Sequence, residues 1–410
     1  MTHSIVEKTT LWIIKIGLWV IPFLPLYVSS SMLFPFITGK NFAFRILTEI
    51  IFALWAGLAI ARPEFRPRLT PLFKAVTAFI VILFLADLFS PNPYRAFFSN
   101  YERMEGFMMI FHLYLYFVML VSVFKTRRDW LVFFHMTLAA SLIVSYLALL
   151  QKLGYRISSQ GGFRVDSTIG NPTYLAAYLL FHVWLLVLLI REFWKKWWAV
   201  FLYGAFLIFE LTILYFTATR GAVLALVATS ILFTAAVVIF WNRIFPLRIP
   251  ALKTAPAFPP PASSWSRGRM IAGVLLILVV LVPFLFWQFR SSPLVERSQI
   301  LKRLTNYSLK ERTIQSRFMI WGMSARAAME RPILGWGQEN YYLVFQKYFN
   351  PGLYAQEPWF DRSHNIIFDW LIHAGFPGLL SYLLILGTAL FTLWQGKQQR
   401  IHPRRKINIV

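Results

Sequence analysis

Apolar stretches of about 20 residues follow one another along this chain, each long enough to cross a hydrocarbon core about 30 Å thick as a helix. They run over 11–35, 42–61, 71–90, 106–124, 130–150, 171–190, 198–217, 221–241, 271–289 and 376–394. A shorter apolar piece, 365–374, precedes the last and is broken from it at Gly375-Phe376-Pro377-Gly378. Backbone groups in lipid find no water, so spanning segments must satisfy their own hydrogen bonds, which selects helices. The expected fold is therefore an all-α polytopic membrane protein with about ten transmembrane helices. A large, partly helical extracytoplasmic loop lies before the last span. A lysine followed by an apolar run also opens a secretory signal, but here the run continues past Pro22 and Pro25 to Pro35 and reads as a retained first span.

Orientation follows from the loops between spans. Alternate ones carry Arg62, Arg66 and Arg68, then Lys125, Arg127 and Arg128, then Arg191, Lys195 and Lys196. The series continues through Arg243, Arg248, Lys253, Arg267 and Arg269 to the tail with Arg400, Arg404, Arg405 and Lys406. Basic residues collect on the cytoplasmic side, so these loops and both termini are expected there. The chain then divides into 1–289, spans and short loops with a Pro-rich cytoplasmic linker at 243–269; 290–364, the extracytoplasmic loop; and 365–410, an interfacial segment, the last span and a basic tail. No internal repeat is present.

Only 14% of residues are charged, against about 25% in soluble proteins, yet the formal net charge is +24. A basic balance suits nucleic acid, an anionic membrane face or a phosphorylated substrate. The basic residues are scattered between apolar runs, so nucleic acid is not an expected partner. There is no cysteine, which excludes disulfides and thiolate chemistry. The outer loops show no Asp-x-Asp or His/Glu ligand cluster and no phosphate loop, so neither metal nor cofactor is expected.

Polar residues with no part in orientation gather on the opposite face, at 91–105, 151–170, the turn Thr219-Arg220 and the loop 290–364. A helix beginning near Gly221, with Thr219 as its cap, offers unpaired N–H groups to an anion, and Arg220 adds a two-pronged donor. By spacing alone Arg220 reads equally well as an arginine marking the end of a span. Within the loop, Ile314, Phe318, Trp321, Ala325 and Ala328 recur at helical spacing and predict an amphipathic helix over 313–330. Arg317 lies beside that stripe and is expected to point toward packed protein, while Arg312, Arg326 and Glu330 face water. Arg326 has Glu330 four residues on as an acidic partner. His364 stands at the junction of loop and last span, where it could take a proton from a hydroxyl or cap the next helix. Within spans, Arg45 and Glu49 are four apart and are expected to pair. Asp87 and Glu210 have no role legible in the sequence.

Thr219-Arg220-Gly221-Ala222, then Arg317-x-x-x-Trp321 leading to Arg331-Pro332-Ile333-Leu334-Gly335-Trp336-Gly337, then Ser363-His364-Asn365 leading to Gly375-Phe376-Pro377-Gly378, resembles the O-antigen ligase superfamily. Its members include O-antigen ligases, Wzy-type polymerases and bacterial protein O-oligosaccharyltransferases. Tyr101-Glu102-Arg103-x-Glu105-Gly106 and Gly170-Asn171-Pro172 resemble its earlier segments, so the likeness runs from about Tyr101 onward. The resemblance implies a metal-independent glycosyltransferase of the inner membrane. Its donor would be a glycan on a polyprenyl diphosphate, and its acceptor a hydroxyl of lipid A core, protein or a growing glycan. His364, Arg220 and Arg317 would be catalytic, and Arg220, Arg317, Thr219, Arg103 and Arg164 would bind substrate. Family members usually carry further spans after the loop, whereas one clear span follows here, which leaves a short or truncated C-terminus as an open alternative. A transporter or flippase for an anionic lipid-linked substrate is the competing reading. Such a protein should place its charges midway along interrupted helices, and the candidate residues here lie at one face.

Overall fold

The computed structural model describes residues 4–160, 162–241, 267–305, 312–354 and 359–401. Most of the linker expected at 243–269 lies outside them. Among the described residues the regular structure is helical: α1 (Ile5–Val20), α2 (Thr38–Ala61), α3 (Pro71–Leu88), α4 (Pro93–Phe98), α5 (Phe107–Val123), α6 (Arg127–Lys152), α7 (Pro172–Glu192), α8 (Trp197–Phe216), α9 (Arg220–Ile239), α10 (Arg267–Gln288), α11 (Pro293–Arg297), α12 (Gln299–Thr305), α13 (Arg312–Glu330), α14 (Tyr341–Lys347) and α15 (Ile366–Ile401). Among the described residues nine segments are long and apolar enough to cross a membrane, and α5 is a shorter apolar helix. Each expected span thus has its helix. The first is shorter than expected, because Pro22 and Pro25 turn the chain from α1 into a 3-10 helix over Ile21–Leu26.

Two compact units divide the chain, residues 1–140 with 308–410, and residues 141–307. In the first, Ile14 and Leu18 of α1 pack with Ile51 and Trp55 of α2, Phe73 of α3, and Val118 and Met119 of α5. Further along α3, Phe79, Ile80, Leu83 and Ala86 pack with Phe107 and Ala374. Arg45 and Glu49, expected to pair, form no direct ion pair among the described residues, although the Glu49 charge acts on Arg45. Arg45 Nη2 donates to Met104 O at 3.3 Å and Glu49 Oε1 meets His112 Nε2 at 2.8 Å. Loop carbonyls and a neighbouring helix offered each a better partner than its own helix did. In the second unit, α7 packs against α8 and α9, and α9 against α10. Buried Glu210 of α8 accepts a hydrogen bond from Ser141 Oγ at 2.5 Å.

The amphipathic helix forms as α13, but with a different buried face. Ser316, Ile320, Met323, Ser324, Ala327 and Ala328 are buried, whereas Phe318 is 58% exposed. At about 100° per residue this stripe is rotated by about a third of a turn from the expected one. Ser324 shares a hydrogen bond of 2.9 Å with the hydroxyl of fully buried Tyr341 in α14. Arg317 flanks the buried face but is itself exposed, contrary to expectation. Glu330 does not pair with Arg326. It binds Lys347 and Tyr348, and Arg326 lies over the Tyr348 ring, 5.4 Å from its centroid.

The break before the last span explains two of the sequence motifs together. Residues Ala374 and Gly375 leave helical geometry inside α15, which frees the carbonyls of Ile372 and His373 and the N–H of Phe376. The turn 331–337 satisfies all three. Trp336 N donates to Ile372 O at 2.6 Å, Gly337 N to His373 O at 3.0 Å, and Phe376 N to Pro332 O at 2.7 Å. Trp336 Nε1 then donates back to Ala327 O of α13 at 2.9 Å. Gly375 has φ +64°, and a Cβ there would stand 2.3 Å from Pro332 O. Gly375→Ala is therefore expected to destabilise the protein by about 1–3 kcal/mol or more. A lowered thermal midpoint in detergent checks this; an unchanged midpoint would show that the docked turn is not needed for stability.

Candidate functional site

In the first unit the site is built from three extramembrane loops: 99–106, 337–340 and 361–365. The first hangs from α2, where Thr38 Oγ1 donates to Tyr101 O at 3.1 Å and Asn41 Nδ2 to Met104 O at 3.0 Å. The second is fixed by Asp87, whose Oδ1 accepts from Gln338 N at 2.7 Å. This is the role the sequence left open for that buried carboxylate. Asn340 Nδ2 adds a bond of 2.9 Å to Trp336 O. The third is fixed at Ser363, which is fully buried. Its N–H and Oγ donate to Asp369 Oδ1 at 3.0 and 2.5 Å, and its carbonyl accepts from Trp321 Nε1 at 3.1 Å. The tryptophan of Arg317-x-x-x-Trp321 thus anchors the turn that carries His364.

His364 itself is exposed and takes the left-handed conformation, φ +53°. Its ring meets the edge of Phe360 at 5.6 Å between centroids. At the start of α15 the capping bond is made by the next residue, Asn365 Oδ1 accepting from Ile367 N at 3.0 Å.

Ion pairs tie the loops together. Arg103 binds Asp361 at 2.8 Å, and Arg362 Nη2 reaches both Glu105 and, at 3.2 Å, Glu339. Glu339 also accepts from Ser99 Oγ at 3.0 Å. Burial raises the Glu339 carboxyl above its ordinary range, with the Ser99 hydrogen bond opposing and the neighbouring Asp361 adding to the shift. Burial lowers the Arg362 guanidinium, and the charge of Arg103 acts in the same direction. Arg103, predicted as a substrate-binding residue, is thus part of this network. Asp361, Arg362 and Glu339 carry no signal in the sequence, since no spacing rule joins residues 23 positions apart, as Arg362 and Glu339 are, or 257 apart, as Arg362 and Glu105 are.

In the second unit the turn between α8 and α9 carries Thr219 and Arg220. Arg164 Nε donates to Thr217 O at 2.8 Å and its Nη2 to Thr219 Oγ1 at 3.0 Å. Arg303 Nε donates to the next carbonyl, Ala218 O, at 3.2 Å, and Arg220 Nε to Arg303 O at 2.6 Å. Thr219 occupies the N-cap position of α9 but does not cap it; its hydroxyl donates to Pro172 O at 3.2 Å instead. Pro172 opens α7, capped by Asn171 Oδ1 accepting from Thr173 N at 2.8 Å, which is what Gly170-Asn171-Pro172 encodes. Burial lowers the Arg164 guanidinium, and neighbouring Arg303 lowers it further. Among the described residues no carboxylate pairs with Arg164 or Arg303. Arg303 was missed in the sequence, where it is one basic residue among many.

Predicted residues thus fall into two groups: His364, Arg317 and Arg103 in the first unit, and Arg220, Thr219 and Arg164 in the second. Six non-glycine residues have positive φ among those described. Ser99, Met104, Glu339 and His364 lie in the three loops of the first group, and Ser167 and Ala218 beside Arg164 in the second. Such conformations cost about 1–3 kcal/mol each and gather where function fixes a backbone. No group of three or more His, Cys, Asp or Glu is placed to hold a metal ion among the described residues.

Residues 205–383 match the family model described as O-Antigen ligase. This segment is thus similar to the O-antigen ligase family, and the chain around it carries, among the described residues, nine helices long and apolar enough to cross a membrane. The segments Tyr101–Gly106 and Gly170–Pro172 lie before the matched region. A search of curated proteins returned no match.

Proposed function

We propose that the chain transfers a glycan from a polyprenyl-diphosphate carrier to an acceptor hydroxyl on the extracytoplasmic face of the bacterial inner membrane, without a metal. The acceptor hydroxyl is that of lipid A core, a protein side chain or the growing glycan. The observation that carries this reading is that one matched segment, 205–383, contains Arg220, Arg317 and His364 together. In the reaction the acceptor oxygen forms a bond to the first sugar carbon as the bond from that carbon to the diphosphate oxygen breaks. His364 takes the acceptor proton, and the diphosphate leaves with the bonding electrons. Arginines offset the charge that develops on the leaving oxygen. Arg220 and Arg317 are assigned to that task, with Thr219, Arg103 and Arg164 orienting substrate or the turns that hold it. The test is reconstitution with a polyprenyl-diphosphate oligosaccharide and each class of acceptor in the presence of a chelator. An acceptor that gains the glycan mass is expected, and a donor left intact with every acceptor would overturn the reading.

The outer placement of α13 rests on the alternation of basic loops. The chain has no cysteine, so single cysteines report sidedness directly. Thr313→Cys should react with an impermeant maleimide added outside, and Lys195→Cys only after permeabilisation; both positions are exposed. The reverse pattern would invert the topology.

A further inference from the structure

The segment 361–365 is gripped at every residue around His364. Asp361 is held by Arg103, Ser363 by Asp369 and Trp321, and Asn365 by its cap to Ile367. Arg362 makes the tie that reaches furthest. Its Nη2 alone bridges Glu105, before α5, and Glu339, after the docked turn. Glu339 is left-handed at φ +58° and its side chain is 9% exposed, so the backbone is strained to bring that carboxylate to Arg362. Ser99, itself left-handed at φ +60°, donates to the second oxygen of Glu339. Three loops with separate anchors on α2, α3 and α15 therefore converge on one guanidinium nitrogen. A solvated surface pair needs no such arrangement.

We propose that Arg362, bridging Glu105 and Glu339, is a positioning residue that fixes the left-handed turn presenting His364. The inference rests on the proposed role of His364, and it differs from the roles of Arg220 and Arg317 in a way that chemistry can read. An arginine that grips a phosphate uses two prongs, which lysine lacks. Both bonds of Arg362 leave from Nη2, so an ammonium at that point can serve both carboxylates. Lysine should thus replace Arg362 where it fails at Arg220 and Arg317. Loss of the bridge should displace His364 rather than weaken donor binding. A misplacement of about 1 Å can cost about 100-fold in rate.

Two measurements on the full-length protein in lipid nanodiscs test this. By hydrogen exchange, Arg362→Gln and Glu339→Gln should loosen the peptide covering 359–366, while α3 and the buried face of α13 exchange as in the parent. Arg362→Lys should stay close to the parent. With a polyprenyl-diphosphate oligosaccharide as donor, Arg362→Gln should lower kcat about 10- to 100-fold with the donor KM unchanged. Arg362→Lys should keep most of the rate. Parent-like exchange in Arg362→Gln would overturn the proposal. So would a donor KM raised equally by Gln and Lys, which would mean that Arg362 touches substrate. Activity of His364→Ala decides the role of His364 separately, and the exchange measurement decides the bridge whatever that activity is.

Discussion

His364→Ala should cut glycan transfer by about 100- to 10,000-fold, the usual cost of a lost general base, while the protein stays folded in the membrane. The structure makes folding and function separable here. Ser363, fully buried and held by Asp369 and Trp321, anchors this turn, and Asn365 makes the capping bond. The His364 ring is exposed and meets the edge of Phe360. Glycine adopts the left-handed conformation at φ +53° without the strain that histidine bears there. His364→Gly, which relieves the left-handed strain, should still fold in the membrane and be as inactive as His364→Ala. Transfer at the parent rate by either variant would reduce His364 to a surface residue.

The second large effect is expected at the arginines. Arg220→Lys and Arg317→Lys should each lower transfer by about 10- to 100-fold, as loss of a charge-assisted hydrogen bond implies. Arg317 is exposed on the flank of α13 and forms no ion pair or hydrogen bond among the described residues, so its replacement leaves packing undisturbed. Arg220 commits its Nε to Arg303 O at 2.6 Å, which sets the direction of the guanidinium at the first turn of α9. There the N-cap hydroxyl is turned away toward Pro172 and does not compete with an anion for the helix N–H groups. Whether both arginines act on one group is read from the double variant, whose cost falls short of the sum if they do. Arg326→Lys is the control. Arg326 lies over Tyr348 on the exposed side of the same helix, and its replacement should be nearly silent. Parent-like transfer in both single variants, or equal damage in the control, would remove the assignment.

The spans were legible because membrane crossing imposes length and apolarity on each segment independently of its neighbours. Where partners decide, local pattern was a weaker guide. The break at Gly375 could be read from Gly and Pro, but its partner could not. Only the fold shows that the turn at Gly335-Trp336-Gly337 supplies the hydrogen bonds the break leaves open. In α13 large apolar residues drew the expected stripe toward Phe318 and Ala325, while the packed face is made of Ser316, Ser324, Ala327 and Ala328 with Ile320 and Met323. The arginine roles were read from residue type and position, yet Arg303, Arg362 and Glu339 have no local signature. They enter through the third dimension alone.

The most direct measurement follows the bond that the proposed reaction must break. Purified protein in vesicles would receive a polyprenyl-diphosphate oligosaccharide labelled with heavy oxygen at the bridge between sugar and phosphate, together with an acceptor on the face where Thr313→Cys is labelled. Mass spectrometry should find one polyprenyl diphosphate for each glycosylated acceptor, with all of the heavy oxygen in the diphosphate and none in the product. Donor that crosses the vesicle membrane intact, with no diphosphate released and no acceptor modified, would contradict the account and identify a transporter.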